Sequence, residues 1–293
     1  MWKMRLALPN WHRHKGGFKE MGVNPYVPKP ARIIGVRDES PDTKTITVGP
    51  NPLGVFTPGQ FAMVTAYGVG EAPFSICSSP FNKDMLQFSV RKMGSVTTML
   101  HEAGVGDDVG VRGPYGRGWP VEKMVGKNIL MVGGGIGLAP LRPLVLYVLG
   151  DRDRYGDIAV CYGARTPSLL MYRSEFDEWV NQGVKLYLTV DAGEEGWKGN
   201  VGVVTTILDK PVLNKAETIV CTCGPPVMIR FVLKKLVELG YSKKNIYASL
   251  EGRMRCGIGK CGHCHFGDKH VCLDGPVFQH DEMTGLPRGI SPF

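Results

Sequence analysis

The stretch Ile129-Leu-Met-Val-Gly133-Gly134-Gly135-Ile136-Gly137-Leu138-Ala139-Pro140 decides the fold of this 293-residue chain. Apolar residues run into glycines and then into a second apolar segment, the pattern of a buried strand that turns into a helix. Glycines let a backbone close on a pyrophosphate, and the helix N-terminus that follows offers unpaired N–H groups and a partial positive charge. Gly133, Gly134, Gly135, Ile136, Gly137 and Pro140 are therefore candidate nucleotide-binding residues. The run is not a strict G-x-G-x-x-G, and alone it also fits a plain tight turn.

Downstream, strand and helix patterns alternate. Strands are expected at 128–132, 157–162, 184–190, 218–223 and 246–250, with helices at 138–149, 169–180, 203–208 and 226–239. Such βαβ units build a parallel sheet covered on both faces. The fourth strand ends in Cys223-Gly224-Pro225-Pro226-Val227-Met228. Ligands of parallel sheets bind outside the carboxyl ends of the strands. Cys223, Gly224 and Pro225 thus open on the same rim as the first glycine turn, where the Cys223 sulfur can lie beside a nicotinamide.

Upstream the texture differs. Short runs at 31–37, 43–48, 61–66, 74–77, 86–91 and 109–112 are separated by turn residues, with one short helix at 96–102. This punctuation argues an antiparallel β-barrel or sandwich. The expected organisation is an N-terminal tail over 1–28, a barrel over 29–122, an α/β nucleotide-binding domain over 123–250 and a small C-terminal module over 251–293. The first residues carry Lys3, Arg5, Arg13, Lys15 and Lys19 but neither an apolar core nor a twin arginine, so no export signal is read there. Trp2 and Trp11 suggest that the tail docks on a partner subunit. The net charge of +8 is scattered, which argues against nucleic acid. The most apolar stretch, 128–150, is broken by glycines, prolines and Arg142, so no membrane span is expected.

The C-terminal module holds Cys256, Cys261, Cys264 and Cys272, a C-x4-C-x2-C-x7-C spacing. The first three match the plant-type [2Fe–2S] pattern. Gly257, Gly259 and Gly262 give the loop the φ freedom to wrap a cluster. Zinc is the competing reading, with His263, His265 and His270 nearby. Cys77 and Cys161 sit in apolar runs and read as small buried hydrophobes. Eight cysteines without an export signal indicate reduced thiols and a cytoplasmic location.

Together, the barrel, Gly133-Gly-Gly-Ile-Gly-Leu-Ala-Pro140 and Cys223-Gly-Pro-Pro-Val-Met228 resemble the ferredoxin–NADP reductase superfamily. The cysteine loop narrows the resemblance to electron-transfer subunits that carry FAD and a [2Fe–2S] cluster. These include the sulfhydrogenase gamma and dihydroorotate dehydrogenase electron-transfer subunits. Pro73-Phe-Ser-Ile-Cys77-Ser-Ser-Pro80, Arg112-Gly-Pro-Tyr-Gly116 and Met254-Arg-Cys-Gly-Ile-Gly-Lys-Cys-Gly-His-Cys264 look closest to the sulfhydrogenase gamma type.

The resemblance implies that Pro73, Phe74 and Ser75 flank the flavin, with the Ser75 hydroxyl near its N5 edge. Gly94, Ser95 and Thr97 would open the short helix onto the FAD pyrophosphate. The superfamily's R-x-Y-S arginine is missing from Ala72-Pro73-Phe74-Ser75, and Arg91 is the candidate substitute. Where NADP-using members carry a hydroxyl residue and an arginine, this chain has Asp191-Ala192. An aspartate favours NAD over NADP, although Arg165 carries the opposite sign.

The implied catalytic pair is Ser75 and Cys223, the latter as a wall rather than a nucleophile. Electrons from NAD(H) would reach the cluster through the flavin and leave to a redox partner subunit of a hydrogenase-like complex. The alternatives are a dihydroorotate dehydrogenase or sulfite/heterodisulfide-type complex, a stand-alone reductase component, and a zinc-stabilised scaffold.

Overall fold

The computed structural model describes residues 24–283, so most of the expected N-terminal tail lies outside the described residues. Six strands come first: β1 (Lys29–Ser40), β2 (Thr43–Gly49), β3 (Phe61–Ala66), β4 (Gly70–Ser75), β5 (Leu86–Arg91) and β6 (Asp108–Tyr115), with helix α1 (Ser95–Glu102) before β6. They form one antiparallel sheet in the order β4-β3-β6-β1-β2-β5. An isolated bridge from Ile76 to Phe88 closes β4 toward β5 and makes the sheet a barrel. Its core is Ile33, Ile46, Val48, Val64, Phe88, Val109 and their neighbours. The strand expected at 74–77 lies earlier, over β4. Pro73 has no N–H to donate, and β4 is an edge strand, where that loss is tolerated.

The second sheet contains β7 (Asn128–Gly134), β8 (Ile158–Ala164), β9 (Val184–Val190), β10 (Asn200–Val201), β11 (Thr218–Cys223) and β12 (Ile246–Ser249). Helices α2 (Arg142–Leu149), α3 (Phe176–Asn181) and α4 (Pro226–Glu238) cross over between them. After the cysteine loop come a hairpin, β13 (His265–Phe266) and β14 (Lys269–His270), the turn α5 (Val271–Asp274) and strand β15 (Val277–Gln279). The sheet order is β10-β9-β8-β7-β11-β12-β15. All its pairs are parallel except β12 with β15. Through β15 the C-terminal module adds an antiparallel edge strand to this sheet.

Three expected helices are shorter than their apolar pattern. Residues 138–149 become a 3-10 turn, Gly135–Leu138, followed by α2. Residues 203–208 form only the 3-10 turn Val204–Ile207. Residues 169–180 break at Tyr172, which takes a left-handed φ of 57°. The buried Tyr172 hydroxyl shares a 2.6 Å hydrogen bond with Ser89 of the barrel, and its ring lies 4.9 Å from the Arg142 guanidinium. Tertiary contacts override helix propensity there.

Arg142 joins the two sheets. Only 8% exposed, it forks onto Glu175 at 2.7 and 2.9 Å. Its Nη1 donates to the Cys77 carbonyl at 2.6 Å and to Gln87 Oε1 at 2.8 Å in the barrel. Arg37 donates to the same Glu175 and to Glu39, whose carboxylate accepts the Tyr172 N–H. A buried charge repays its desolvation only when its donors are used in this way. Burial lowers the affinity of Arg142 for its proton, but the Glu175 carboxylate more than reverses this. Trp119 makes a second joint, donating from its backbone to Pro58 at 2.7 Å and from Nε1 to the Pro140 carbonyl at 2.9 Å.

Candidate functional site

The two glycine turns meet on one rim. A β-carbon on Gly134 or Gly224 would strike the Met228 side chain, so both backbones approach that residue closely. Gly135 has φ +53°, and a β-carbon there would meet nothing within 4 Å. The turn thus packs tightly behind and is open in front, as a cradle for a phosphate requires. Tyr162 braces it from below, donating to the Gly135 carbonyl at 3.1 Å. Pro140 holds Trp119 through its carbonyl, so its part in the turn is structural as well as local.

Cys223 lies in register with Gly133 on one side and Ser249 on the other. Burial pushes its thiol up to about 12. A group so raised stays protonated, without the thiolate a nucleophile needs. Glu251, which sequence reasoning missed, opens to solvent just past β12, while the protein around it raises its carboxyl. The Glu251 charge adds to the upward push on the Cys223 thiol. Only the structure brings them together, because nothing in the spacing of residues 223 and 251 signals it.

Asp191 and Arg165 follow the adjacent ends of β9 and β8, and both are exposed. The Ala192 N–H binds the Arg165 carbonyl at 2.9 Å, which holds the two loops together. Glu194 caps the neighbouring loop through Ser168, at 2.7 Å to the hydroxyl and 3.1 Å to the N–H. Glu194 follows Asp191 by three residues in the loop after β9.

On β4 side chains alternate, so Glu71, Pro73 and Ser75 share one face and Phe74 lies on the other. All four are half-buried. Helix α1 packs over β3, β4 and β5, with Val96 close to Gly70. Gly94 and Ser95 are exposed at its N-terminus. The Thr97 hydroxyl accepts the Met93 and Gly94 N–H groups at 2.8 Å each, so Thr97 shapes the turn. With no acidic residue in its first turn, α1 presents an N-terminus suited to an anion. Arg91 is tied through Nε to Asp42 at 2.7 Å. These donors fit a flavin dinucleotide: an apolar and hydroxyl-bearing strand for the ring, and a helix N-terminus with basic residues at its base for the phosphates.

The cysteine loop fits a two-iron cluster. Gly257, Gly259 and Gly262 all have φ near +70°, at +73°, +71° and +72°. The Ile258, Lys260 and Cys261 N–H groups point at Cys256 Sγ from 3.5, 3.2 and 3.4 Å, and the Gly259 N–H at Cys272 Sγ from 3.1 Å. Burial raises the Cys256 thiol, but these N–H groups outweigh it and bring it down to about 7. Burial and the neighbouring Cys264 push Cys272 up to about 12.

The cysteines lie in pairs: Cys264 with Cys272 at 3.3 Å between sulfurs, and Cys261 against Cys256. Two thiolates for each of two metals is the donor set of a [2Fe–2S] cluster. His263 and His265 turn Nδ1 to backbone carbonyls of the loop.

The three sites are contiguous. Ser75 pairs with Phe61 and Phe61 with Tyr115 across the barrel sheet. Gly116 then packs on Gly275 and Pro276, and Val277 pairs with Ser249 beside Cys223. Phe61 and Met63 belong to the same core as Cys264, Cys272 and Val132, whereas Ala62 and Val64 face the barrel interior.

Residues 131–234 match the oxidoreductase NAD-binding domain family. Residues 251–284 match the iron-sulfur cluster binding domain of dihydroorotate dehydrogenase B. The chain is 40% identical over 240 residues to the sulfhydrogenase 1 subunit gamma of Pyrococcus furiosus, covering 79% of this chain and 82% of that one. It is 36% identical over 258 residues to a probable dihydroorotate dehydrogenase B (NAD(+)) electron transfer subunit of Methanocaldococcus jannaschii, covering 86% and 90%. Among solved structures it superimposes on a chain from work on an NADH-dependent reduced ferredoxin–NADP oxidoreductase. That match has a TM-score of 0.71 and 27% identity, over 88% of this chain and 89% of the other.

Proposed function

Because this chain belongs to the family of sulfhydrogenase gamma and dihydroorotate dehydrogenase B electron-transfer subunits, we propose that it carries electrons between NAD(H) and a hydrogenase-type partner subunit. The chain is an NAD(H)-linked flavoprotein oxidoreductase with an iron–sulfur module. Its relatives are subunits of multi-subunit complexes, and no helix among the described residues is long and apolar enough to cross a membrane. The barrel over 29–122, the sheet over 123–250 and the cysteine module over 251–293 are assigned to FAD, NAD and the cluster in turn. The eight cysteines, all free, suit a cytoplasmic setting.

Bound FAD supplies the conversion between hydride and single-electron chemistry. The residues hold the parts in order. The backbone N–H groups of Gly134, Gly135, Ile136 and Gly137 receive the dinucleotide pyrophosphate. Gly133 and Gly137 let the turn close, and Gly224 and Pro225 shape its far wall. Asp191 accepts the ribose hydroxyls, and Arg165 steadies the nearby loop. The neutral Cys223 thiol excludes water at the reacting end, opposite the Ser75 hydroxyl. Pro73 flanks the flavin ring, Phe74 backs the strand from the barrel interior, and Gly94, Ser95, Thr97 and Arg91 form its phosphate site. Cys256, Cys261, Cys264 and Cys272 ligate the iron.

One observation carries the reading: the loop that bears Cys256 lies on the same barrel face as Ser75 and Pro73, while Cys261 of that loop is exposed. Electrons thus have a short way in and an open way out. The test is anaerobic purification of the native protein with its associated subunits. Co-elution of a hydrogenase-type subunit that speeds NADH oxidation supports the assignment. A dihydroorotate-oxidising partner, or a chain that elutes alone, contradicts it.

A further inference from the structure

Arg112 connects the flavin strand to the cluster loop, and no part of the reading above uses it. It lies on β6 with a side chain only 5% exposed. Nε and Nη2 fork onto Glu71 of β4 at 2.7 and 2.5 Å. Nη2 also donates to the Arg255 carbonyl at 3.1 Å, and Nη1 to the Cys256 carbonyl and the Tyr115 hydroxyl. The guanidinium thus holds two strands of the barrel and the backbone of the first cysteine at once.

Glu71 shares its face of β4 with Pro73 and Ser75. Gly257, next to Cys256, has φ +73°, and a β-carbon on it would press on Tyr115 and Met63 at 3.1 and 3.2 Å. The loop is seated on the barrel by close packing and by one charged fork together. Only arginine can give both a bidentate grip on a carboxylate and donors to two carbonyls.

We propose that Arg112, anchored by Glu71, is a positioning residue that fixes the Cys256 side of the cluster loop against the flavin-bearing strand and so sets the rate of flavin-to-cluster electron transfer. The proposal rests on the functional reading above. Two electrons enter from NADH and pass singly to the iron centre. Arg112 takes no part in that exchange; it holds the distance over which it occurs. A residue that only stabilised the fold would slow every step or none.

The test uses the full chain with both cofactors loaded, as wild type, Arg112→Lys and Glu71→Gln. Flavin bleaching and cluster reduction by NADH are followed separately in rapid mixing. The expected result for Arg112→Lys is full iron content, flavin bleaching within about twofold of wild type and cluster reduction slowed about tenfold or more. Amide exchange over residues 255–258 should rise about tenfold in the cluster-free protein, with the rest of the chain unchanged. Glu71→Gln should shift both readouts in the same direction by a smaller factor. Cluster reduction and exchange both at wild-type values in either iron-replete variant would overturn the proposal. So would iron loss from Arg112→Lys with wild-type exchange in the cluster-free chain. Failure of the wild-type flavin to bleach would instead overturn the functional reading.

Discussion

Gly137 lies so close beneath Cys223 that a β-carbon on it would fall 2.3 Å from the Cys223 carbonyl oxygen. The two nucleotide turns therefore fit together only while residue 137 has no side chain. Gly137→Ala should push them apart and weaken NADH binding about tenfold, in line with an overpacking cost of about 1–3 kcal/mol. Flavin and iron content should be unchanged. NADH titration of the loaded protein checks this, and unchanged affinity would show that the rim tolerates separation.

Arg142 is buried against Glu175 and spans the two sheets. Arg142→Met leaves the buried Glu175 with only the more exposed Arg37 as counter-charge, so it should cost about 3 kcal/mol, the low end for breaking a buried pair. The double variant Arg142→Met, Glu175→Leu should recover much of that loss. Urea midpoints for both proteins decide it. Equal midpoints for the single and double variants would mean that the pair acts through packing alone.

On the proposed reading, the exposed Asp191 lies beside the nucleotide ribose and disfavours a 2′-phosphate there. Asp191→Ser should improve kcat/KM with NADPH relative to NADH about tenfold, because a repulsive element is removed. Initial rates with the two nucleotides measure the ratio. An unmoved ratio would shift the specificity to Glu194 or Arg165.

Although exposed, Glu251 is partly desolvated by the protein around it, which raises its carboxyl above its ordinary 4.5. A raised acid destabilises the folded chain when ionised. The stability that neutral Glu251 allows is fully present below its unfolded value and lost as pH rises through the folded value. Glu251→Gln should therefore melt higher than wild type at neutral pH, and the difference should close as pH falls below 4.5. Thermal melts across that range test the sign.

Much of this was legible in the chain because it depends on local backbone chemistry. The glycine turn at 133–137, the Cys223-Gly-Pro-Pro run and the cysteine spacing each need particular residues at fixed offsets. The barrel strands announced themselves by turn punctuation. What stayed hidden depends on contacts distant in sequence. Tyr172 breaks an apparent helix because Ser89 and Arg142 claim it. Arg142 sits in an otherwise apolar run, and its pattern alone gives no sign of a buried fork. Arg112 and Glu71 are 41 residues apart, and their tie to Cys256 crosses 144. β15 joins the nucleotide sheet through only three residues, too few for a periodic signal.

On the proposed reading, hydride electrons from NADH reach a two-iron centre through a flavin in this one chain. Its most direct test is an anaerobic NADH titration of the loaded protein, with visible and electron paramagnetic resonance spectra recorded together. Wild type should show flavin bleaching with a reduced [2Fe–2S] signal, and Cys272→Ser should bleach without that signal. An iron centre that dithionite reduces but NADH never does, or a protein holding zinc in place of iron, would contradict it.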